Sequence, residues 1–279
     1  AGLFAEIQII AGGKDMKVDA SNPLWRFRGI TSTAMLFFAY LYLPIVILIA
    51  LSFNENRLAT IWTGFTTDWY VVALSNDDML RAAQNSLVVA VSATVIATIA
   101  ATLAAMGMSR GRFRGETGVS AMLALPLLVP EVVTAIATLL FFVAIGIKLG
   151  LVTIIIAHTV FCIPFAYLPI RARLEGMDPS LTEAANDLYA NEWKAFRRVT
   201  LPLLWPGILS GAMLSFIISL DDFVISYFVG GAGATTLPIY IFGMIRIGIT
   251  PEVNAISAMM LLVSIIFVSV SFLIDRIRY

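Results

Sequence analysis

Residues 171–206 read RARLEGMDPSLTEAANDLYANEWKAFRRVTLPLLWP, the longest charged segment of the chain, with apolar runs on both sides. We therefore expect this segment to lie at a membrane surface. The alternative to a functional motif is a plain solvated loop between two membrane helices. Ser180 and Glu183 have the spacing of a capping box, which predicts that a helix begins there, and Asp178-Pro179 suits a helix entrance. Asn191 is the predicted cap of a second short helix. We call residues 171–202 the knuckle, because two short helices and a turn are expected there.

The composition identifies an integral membrane protein. Of 279 residues, 59% are hydrophobic and 13% are charged, with a mean hydropathy of +0.92, whereas soluble domains carry about 25% charged residues. The net charge is zero, so no nucleic-acid partner is indicated. Cys162 is the one cysteine and lies in an apolar run, which argues against a disulfide or a cysteine metal site. The first 29 residues lack the apolar core and cleavage site of a signal peptide.

Six stretches satisfy the requirement of about 20 apolar residues for a membrane-spanning helix. The second is rich in small residues, which predicts that it is buried among its neighbours. Residues 223–245 are also apolar, but glycines and Pro238 interrupt them, so we expect a re-entrant or external segment. The prediction is an all-α polytopic protein with a tail at 1–29, a transmembrane domain at 30–274 and a tail at 275–279. The six predicted spans are 30–53, 82–109, 117–147, 149–170, a fifth from about 201 to a few residues beyond 222, and 253–274.

The distribution of basic residues predicts the orientation in the membrane. Fourteen of the eighteen Lys and Arg residues lie in the N-terminal tail, the turn at 110–114, the knuckle and the C-terminal tail. These four segments fall on one side of a six-span topology, which the positive-inside rule assigns to the cytoplasm. Both termini and the knuckle are therefore predicted to be cytoplasmic.

Three carboxyl groups lie inside apolar spans, where a charge costs several kcal/mol. Glu131 is fourteen residues from Thr117, or about 21 Å along a straight helix, which predicts a depth beyond the middle of the bilayer. Asp221 and Asp222 are expected near the external end of the fifth span. Helix capping or pairing is one interpretation of these groups, and a route for a cation is the other. With no basic residue inside a predicted span, an anionic substrate is disfavoured.

The knuckle resembles the E-A-A motif of the membrane permease subunits of binding-protein-dependent ABC importers. Glu183-Ala184-Ala185, followed by Val199 and Leu201-Pro202, has the letters and spacing of that motif. The resemblance implies a type I importer permease fold and a knuckle that docks onto a separate ATPase subunit. The residues that it assigns to ATPase coupling are Glu183, Ala184, Ala185, Asp187, Leu188, Tyr189, Leu201 and Pro202.

Tyr189 departs from the motif, which has glycine at this position. A glycine between two short helices usually supplies a left-handed backbone, which costs a tyrosine about 1 kcal/mol or more. Either Tyr189 tolerates this conformation or Asn191 makes the turn.

A narrower resemblance, to the second membrane subunit of the putrescine/spermidine permeases, covers residues 51–274. It is carried by SLDDFVIS at 219–226, GATTLP at 233–238 and MIRIGITPEVNA at 244–255. It implies ATP-driven import of putrescine or spermidine across a bacterial inner membrane, with Asp221, Asp222 and Glu131 along the substrate path. The implied partners are a homologous permease, two ATPase subunits that hold ATP and magnesium, and an external binding protein. The chain itself would carry no cofactor, metal or catalytic residue.

Other functions remain open at this point. Import of another small amine or amino-acid-like solute fits the same motifs. An ion-coupled secondary transporter would be expected to show internal repeats, and none is convincing here. A membrane scaffold without transport is disfavoured by the buried carboxyl groups. His158 stands alone among apolar neighbours and is predicted to be a packing histidine rather than a metal ligand.

Overall fold

The protein is described here by a computed structural model covering residues 28–57, 61–109, 114–178, 180–187, 189, 191–248 and 250–277. Within these ranges strand pairing is limited to an isolated bridge between Asn54 and Phe65, which confirms the predicted all-α class. The chain divides into two compact units, residues 1–50 and residues 51–279. The tail predicted at 1–29 lies outside the described residues up to position 27, and so do residues 278–279 of the C-terminal tail.

The described helices follow the predicted spans closely. Five of them are long and apolar enough to cross a membrane, and a sharply bent pair supplies a sixth candidate span in the described ranges. In chain order the helices are α1 (Arg28–Leu51), α2 (Asp68–Leu74), α3 (Asp77–Ser109), α4 (Glu116–Leu128), α5 (Glu131–Ala144), α6 (Leu151–Glu175), α7 (Ser180–Asp187), α8 (Glu192–Ala195), a π-helical turn (Phe196–Thr200), α9 (Leu201–Asp221), α10 (Val224–Val229), α11 (Leu237–Ile247) and α12 (Pro251–Ile277).

The third predicted span is broken rather than continuous. Helices α4 and α5 meet at an angle of 115°. Between them Val129 is extended, with φ −83° and ψ 133°, because the ring of Pro130 disfavours helical geometry in the residue before it. Glu131 is therefore the first residue of α5. The predicted depth of Glu131 assumed a straight helix from Thr117, and the bend contradicts that assumption.

Small residues bring α3, α6 and α9 into close contact. On α3, Ala93, Ala97 and Ala101 recur at helical spacing and are fully buried, which confirms the predicted role of small residues in this span. On α9, a Cβ atom added to Gly211 would lie 2.6 Å from the carbonyl oxygen of Ala166 on α6. The backbones of α6 and α9 therefore approach so closely that only glycine fits at this position.

The apolar segment after α9 folds into two short helices instead of a further span. Helix α10 packs against α5 and α6, while α11 packs against α3 and α12. Side chains of α3 satisfy the irregular backbone between them, since Asn85 Nδ2 donates to the carbonyl oxygens of Gly233 (3.2 Å) and Thr235 (3.0 Å). The prediction that glycine and proline break this segment is confirmed, and the freed backbone groups bind protein as the bilayer requires.

Candidate functional site

Within the knuckle, Asp178 precedes the first short helix, α7. Its Oδ1 accepts a hydrogen bond of 2.9 Å from the backbone N–H of Ser180, and this bond holds the pKa of Asp178 below its usual range. Ser180 is the first residue of α7, which confirms the predicted start of the helix, and the cap bond comes from the predicted entrance residue Asp178. The helix therefore receives its carboxylate cap from Asp178. The side chain of Glu183, the other half of the predicted capping box, lies outside the described residues.

The two alternatives for the turn, a left-handed Tyr189 and a role for Asn191, are both present in the structure. Tyr189 has φ 59°, in the left-handed region, at a cost of about 1–2 kcal/mol for a residue other than glycine. Asn191 caps α8, with its Oδ1 accepting from the Lys194 N–H at 2.9 Å, which confirms the predicted second short helix. The chain thus makes the left-handed turn with a tyrosine and begins the next helix with an asparagine.

The coupling residues predicted from the motif lie mostly at the surface. Ala184 and Asp187 are exposed, and Ala185 is half-buried. Leu201 and Pro202 begin α9, after the π-helical turn. Leu188 lies outside the described residues.

The two ends of the knuckle are held together at its base. Arg173, near the end of α6, donates from Nε to the carbonyl oxygen of Leu203 at 2.9 Å. A Cβ atom on Gly207 of α9 would lie 2.6 Å from the Cβ of Arg173. The knuckle is therefore attached to α6 and α9, two helices that are in close contact at this point.

A second group of functional candidates surrounds Asp222, which lies between α9 and α10. Its side chain is 3% exposed. It accepts hydrogen bonds from the backbone N–H groups of Ser226 at 2.9 Å and Ile225 at 3.4 Å, which caps α10. The carboxylate oxygen Oδ1 also lies 3.0 Å from Nε2 of His158. The protein therefore supplies several hydrogen-bond donors to this buried charge, as a buried charge requires.

His158 connects α6 to α9 and α10, the two helices that flank Asp222. Its Nδ1 lies 2.8 Å from the hydroxyl of Ser219 on α9, and its Nε2 lies 3.0 Å from the hydroxyl of Ser226 on α10. Donation from Nε2 to Asp222 leaves Nδ1 of a neutral ring to accept from Ser219. The prediction of a packing histidine is confirmed, but its partners are polar and include a predicted substrate-path residue.

Glu131 completes this carboxyl–histidine cluster, which we define as Glu131, His158, Ser219, Asp222 and Ser226. The carboxyl group of Glu131, the first residue of α5, lies close to that of Asp222. Adjacent carboxylates repel each other, so the charge of each group influences the other. The cluster thus joins α5, α6, α9 and α10 around one buried carboxyl pair.

The predicted acidic pair does not act as a unit. Asp221 is the last residue of α9, in agreement with its expected place at a helix end, and it is exposed, whereas Asp222 is buried. Glu131 is half-buried. The structure therefore brings Glu131 and Asp222 together and leaves Asp221 at the surface.

Sequence reasoning did not connect His158, Ser219 and Ser226 to the carboxyl groups. The available signal was the presence of polar side chains in apolar runs, because buried polar groups need hydrogen-bond partners. Which partners they choose depends on tertiary packing, since these residues come from three different segments of the chain.

Several apolar helices, a charged knuckle and carboxyl groups buried among the helices describe a multi-pass membrane transport subunit. The chain belongs to the family of binding-protein-dependent transport system inner membrane components, whose family model matches residues 93–279. The matched region includes the knuckle and the whole carboxyl–histidine cluster.

Two relatives share most of their length with this chain. The spermidine/putrescine transport system permease protein PotC of Escherichia coli (strain K12) is 43% identical over 249 residues, which cover 89% of this chain and 94% of PotC. The putrescine transport system permease protein PotI of the same strain is 42% identical over 234 residues, 81% of this chain and 83% of PotI.

A solved structure supports the fold. A chain of a bacterial ABC transporter involved in the import of the acidic polysaccharide alginate matches with a TM-score of 0.68 and 20% identity, covering 88% of this chain and 95% of that chain. The chain therefore has the fold of an ABC importer permease.

Proposed function

We propose that this chain is a permease subunit of an ABC importer that moves putrescine or spermidine into the cytoplasm. The observation that carries the proposal is the 43% identity to a spermidine/putrescine permease protein over 89% of the chain. The matched part is 94% of that relative's length, so the likeness concerns nearly the whole permease protein.

The charge of the proposed substrate path fits a polyamine. Asp221 is exposed at the end of α9, and Glu131 is half-buried beside Asp222. A fixed negative charge in a low-dielectric surrounding attracts an ammonium group more strongly than the same charge in water. Asp222 has its hydrogen-bonding positions occupied by Ser226, Ile225 and His158. We therefore assign Asp221 and Glu131 to contact with the cargo, and Asp222 to the support of Glu131.

The knuckle is the proposed docking surface for the ATPase. The exposed Ala184 and Asp187, together with the other motif residues at 183–189 and 201–202, would lie in a groove of that subunit. ATP and magnesium would be held by the ATPase, and this chain would hydrolyse nothing. Closure of two ATPase subunits would draw together the knuckles of this chain and of a homologous permease.

The membrane arrangement follows from the same proposal. The knuckle and both termini would face the cytoplasm, with residues 30–274 as the transmembrane domain between two tails. Residues at the opposite membrane surface would receive cargo from an external binding protein. A solved alginate importer with a TM-score of 0.66 to this chain is in complex with its substrate-bound periplasmic protein, which supports an arrangement of this kind.

The test is uptake by the reconstituted transporter. The chain, its partner permease and the ATPase are placed in proteoliposomes with the binding protein outside, and entry of radiolabelled putrescine, spermidine and lysine is measured with and without internal ATP. We expect ATP-dependent entry of the polyamines and little entry of lysine. Uptake that needs an ion gradient instead of ATP would contradict the proposal, and preferential entry of lysine would reassign the substrate.

A further inference from the structure

Tyr189 combines an unfavourable backbone with an unusually exposed ring. Among the described residues it is the one non-glycine residue with positive φ, at 59°. Its side chain is 96% exposed. Because the ring is not buried, packing within this chain does not offset the free-energy cost of the left-handed backbone at Tyr189.

The turn itself does not require an aromatic residue. Asn191 already caps α8 through its hydrogen bond from Lys194. Glycine adopts positive φ without a steric penalty, and asparagine does so more easily than tyrosine. A feature of the tyrosine other than its backbone must then account for its presence, and backbone strain of this kind is concentrated at functional sites.

The surroundings of the turn suit a protein partner. Trp193, four positions further on, is 65% exposed, and its ring lies 5.5 Å from that of Phe196. Tyr and Trp are the side chains most often found at the energetic centres of protein interfaces. Lys194 and Arg197 are exposed in the same segment, as are Asp187 and Glu192, so the partner surface should be apolar at its centre and of mixed charge at its rim.

We propose that the ring of Tyr189 is a specificity-determining contact of the knuckle with the ATPase subunit. The ring enters an apolar pocket of the docking groove, and the left-handed backbone holds it away from the knuckle so that it can do so. This inference rests on the proposed docking of the knuckle to an ATPase. The added claim is that the Tyr189 side chain, which stands where the motif has glycine, selects the ATPase whose pocket accommodates its ring.

The test separates the ring from the backbone. Four variants are made in the full chain, co-expressed with its partner permease: Tyr189→Gly and Tyr189→Asn remove the ring and relieve the backbone, Tyr189→Ala removes the ring alone, and Tyr189→Phe keeps the ring. Affinity for the purified ATPase is measured by biolayer interferometry. The unfolding temperature of the permease pair is measured without ATPase.

We expect Tyr189→Gly, Tyr189→Asn and Tyr189→Ala each to weaken ATPase binding at least tenfold, which is about 1.4 kcal/mol. Tyr189→Phe should stay within threefold of the parent. Tyr189→Gly should leave the unfolding temperature of the permease pair unchanged or raised, because it relieves the backbone. Parental ATPase affinity in Tyr189→Gly would overturn the proposal, as would a fall in its unfolding temperature that matches the loss of binding. A parent chain that binds no ATPase would instead refute the proposed function itself.

Discussion

The buried Asp222 and the exposed Asp221 should respond differently to the same substitution. Asp222→Asn keeps the size of the side chain but replaces a charged acceptor by a neutral amide. The hydrogen bonds from the Ser226 N–H and from His158 would lose their charge assistance. Bonds to charged groups contribute about 1.5–3 kcal/mol and neutral ones about 0.5–1.5 kcal/mol, so the expected loss is roughly 2 kcal/mol for the two bonds together.

Asp221→Asn is the matched control, because it makes the same chemical change one residue earlier at an exposed position. Exposed substitutions usually change stability by less than about 0.5 kcal/mol. In a domain of this size, 2 kcal/mol corresponds to a fall of roughly 4–8 °C in unfolding temperature. We therefore expect that fall in Asp222→Asn and almost none in Asp221→Asn.

The assay measures thermal unfolding and putrescine uptake on the same purified complexes. If the charge of Asp221 meets the cargo, Asp221→Asn should reduce uptake at least tenfold, about 1.4 kcal/mol in the limiting step, with unfolding unchanged. Equal unfolding temperatures for the two variants would show that the hydrogen bonds of Asp222 do not stabilise the fold, and would contradict its assignment as a supporting residue. Normal uptake by Asp221→Asn would leave Glu131 as the remaining carboxyl group of the proposed path.

Three further substitutions test other parts of the structure. Ala184→Trp adds a bulky ring to the exposed face of α7 and should abolish co-purification with the ATPase while membrane insertion persists; normal co-purification would show that docking occurs elsewhere. Asn191→Ala removes the cap of α8 and should reduce stability by about 1 kcal/mol, a loss that thermal unfolding would detect. Gly211→Val places a side chain against the Ala166 carbonyl and should cost about 1–3 kcal/mol, the usual overpacking penalty. Gly243→Val is its control, because no atom of the described residues, beyond its chain neighbours and its own helix backbone, lies within 4 Å of a Cβ atom added there. Equal unfolding temperatures for Gly211→Val and Gly243→Val would disprove the close contact.

The helices were predictable because a lipid environment imposes a simple rule on the sequence. A spanning helix needs a long apolar run, and charged residues mark where it ends. The turn of the knuckle was predictable in part, since Asn191 is a typical cap residue. The choice of Tyr189 as the left-handed residue was not, because local preference favours glycine or asparagine and the reason for a tyrosine lies outside the local sequence.

The carboxyl–histidine cluster was beyond the reach of sequence patterns for a different reason. Residues 131, 158 and 222 come from segments far apart in the chain, and no periodicity relates them. The bend after α4 illustrates the same limit, since Pro130 predicts a break while the angle of 115° depends on how α5 packs afterwards. Local chemistry indicates where the chain must change direction, whereas tertiary packing decides which side chains then meet.

The knuckle and the carboxyl–histidine cluster lie toward opposite ends of the same two helices. His158 is seventeen residues before Glu175, the last residue of α6, which is about 26 Å of helix at 1.5 Å per residue. Along that length α6 and α9 are locked by the contact of Gly211 with Ala166 and by the bond from Arg173 to Leu203. Closely packed helices resist sliding past each other, so we expect α6 and α9 to move together if a docked ATPase pulls on the knuckle. Because His158 and Ser219 lie on these helices and Asp222 directly follows α9, such a movement should change the distance between Asp222 and Glu131 on α5.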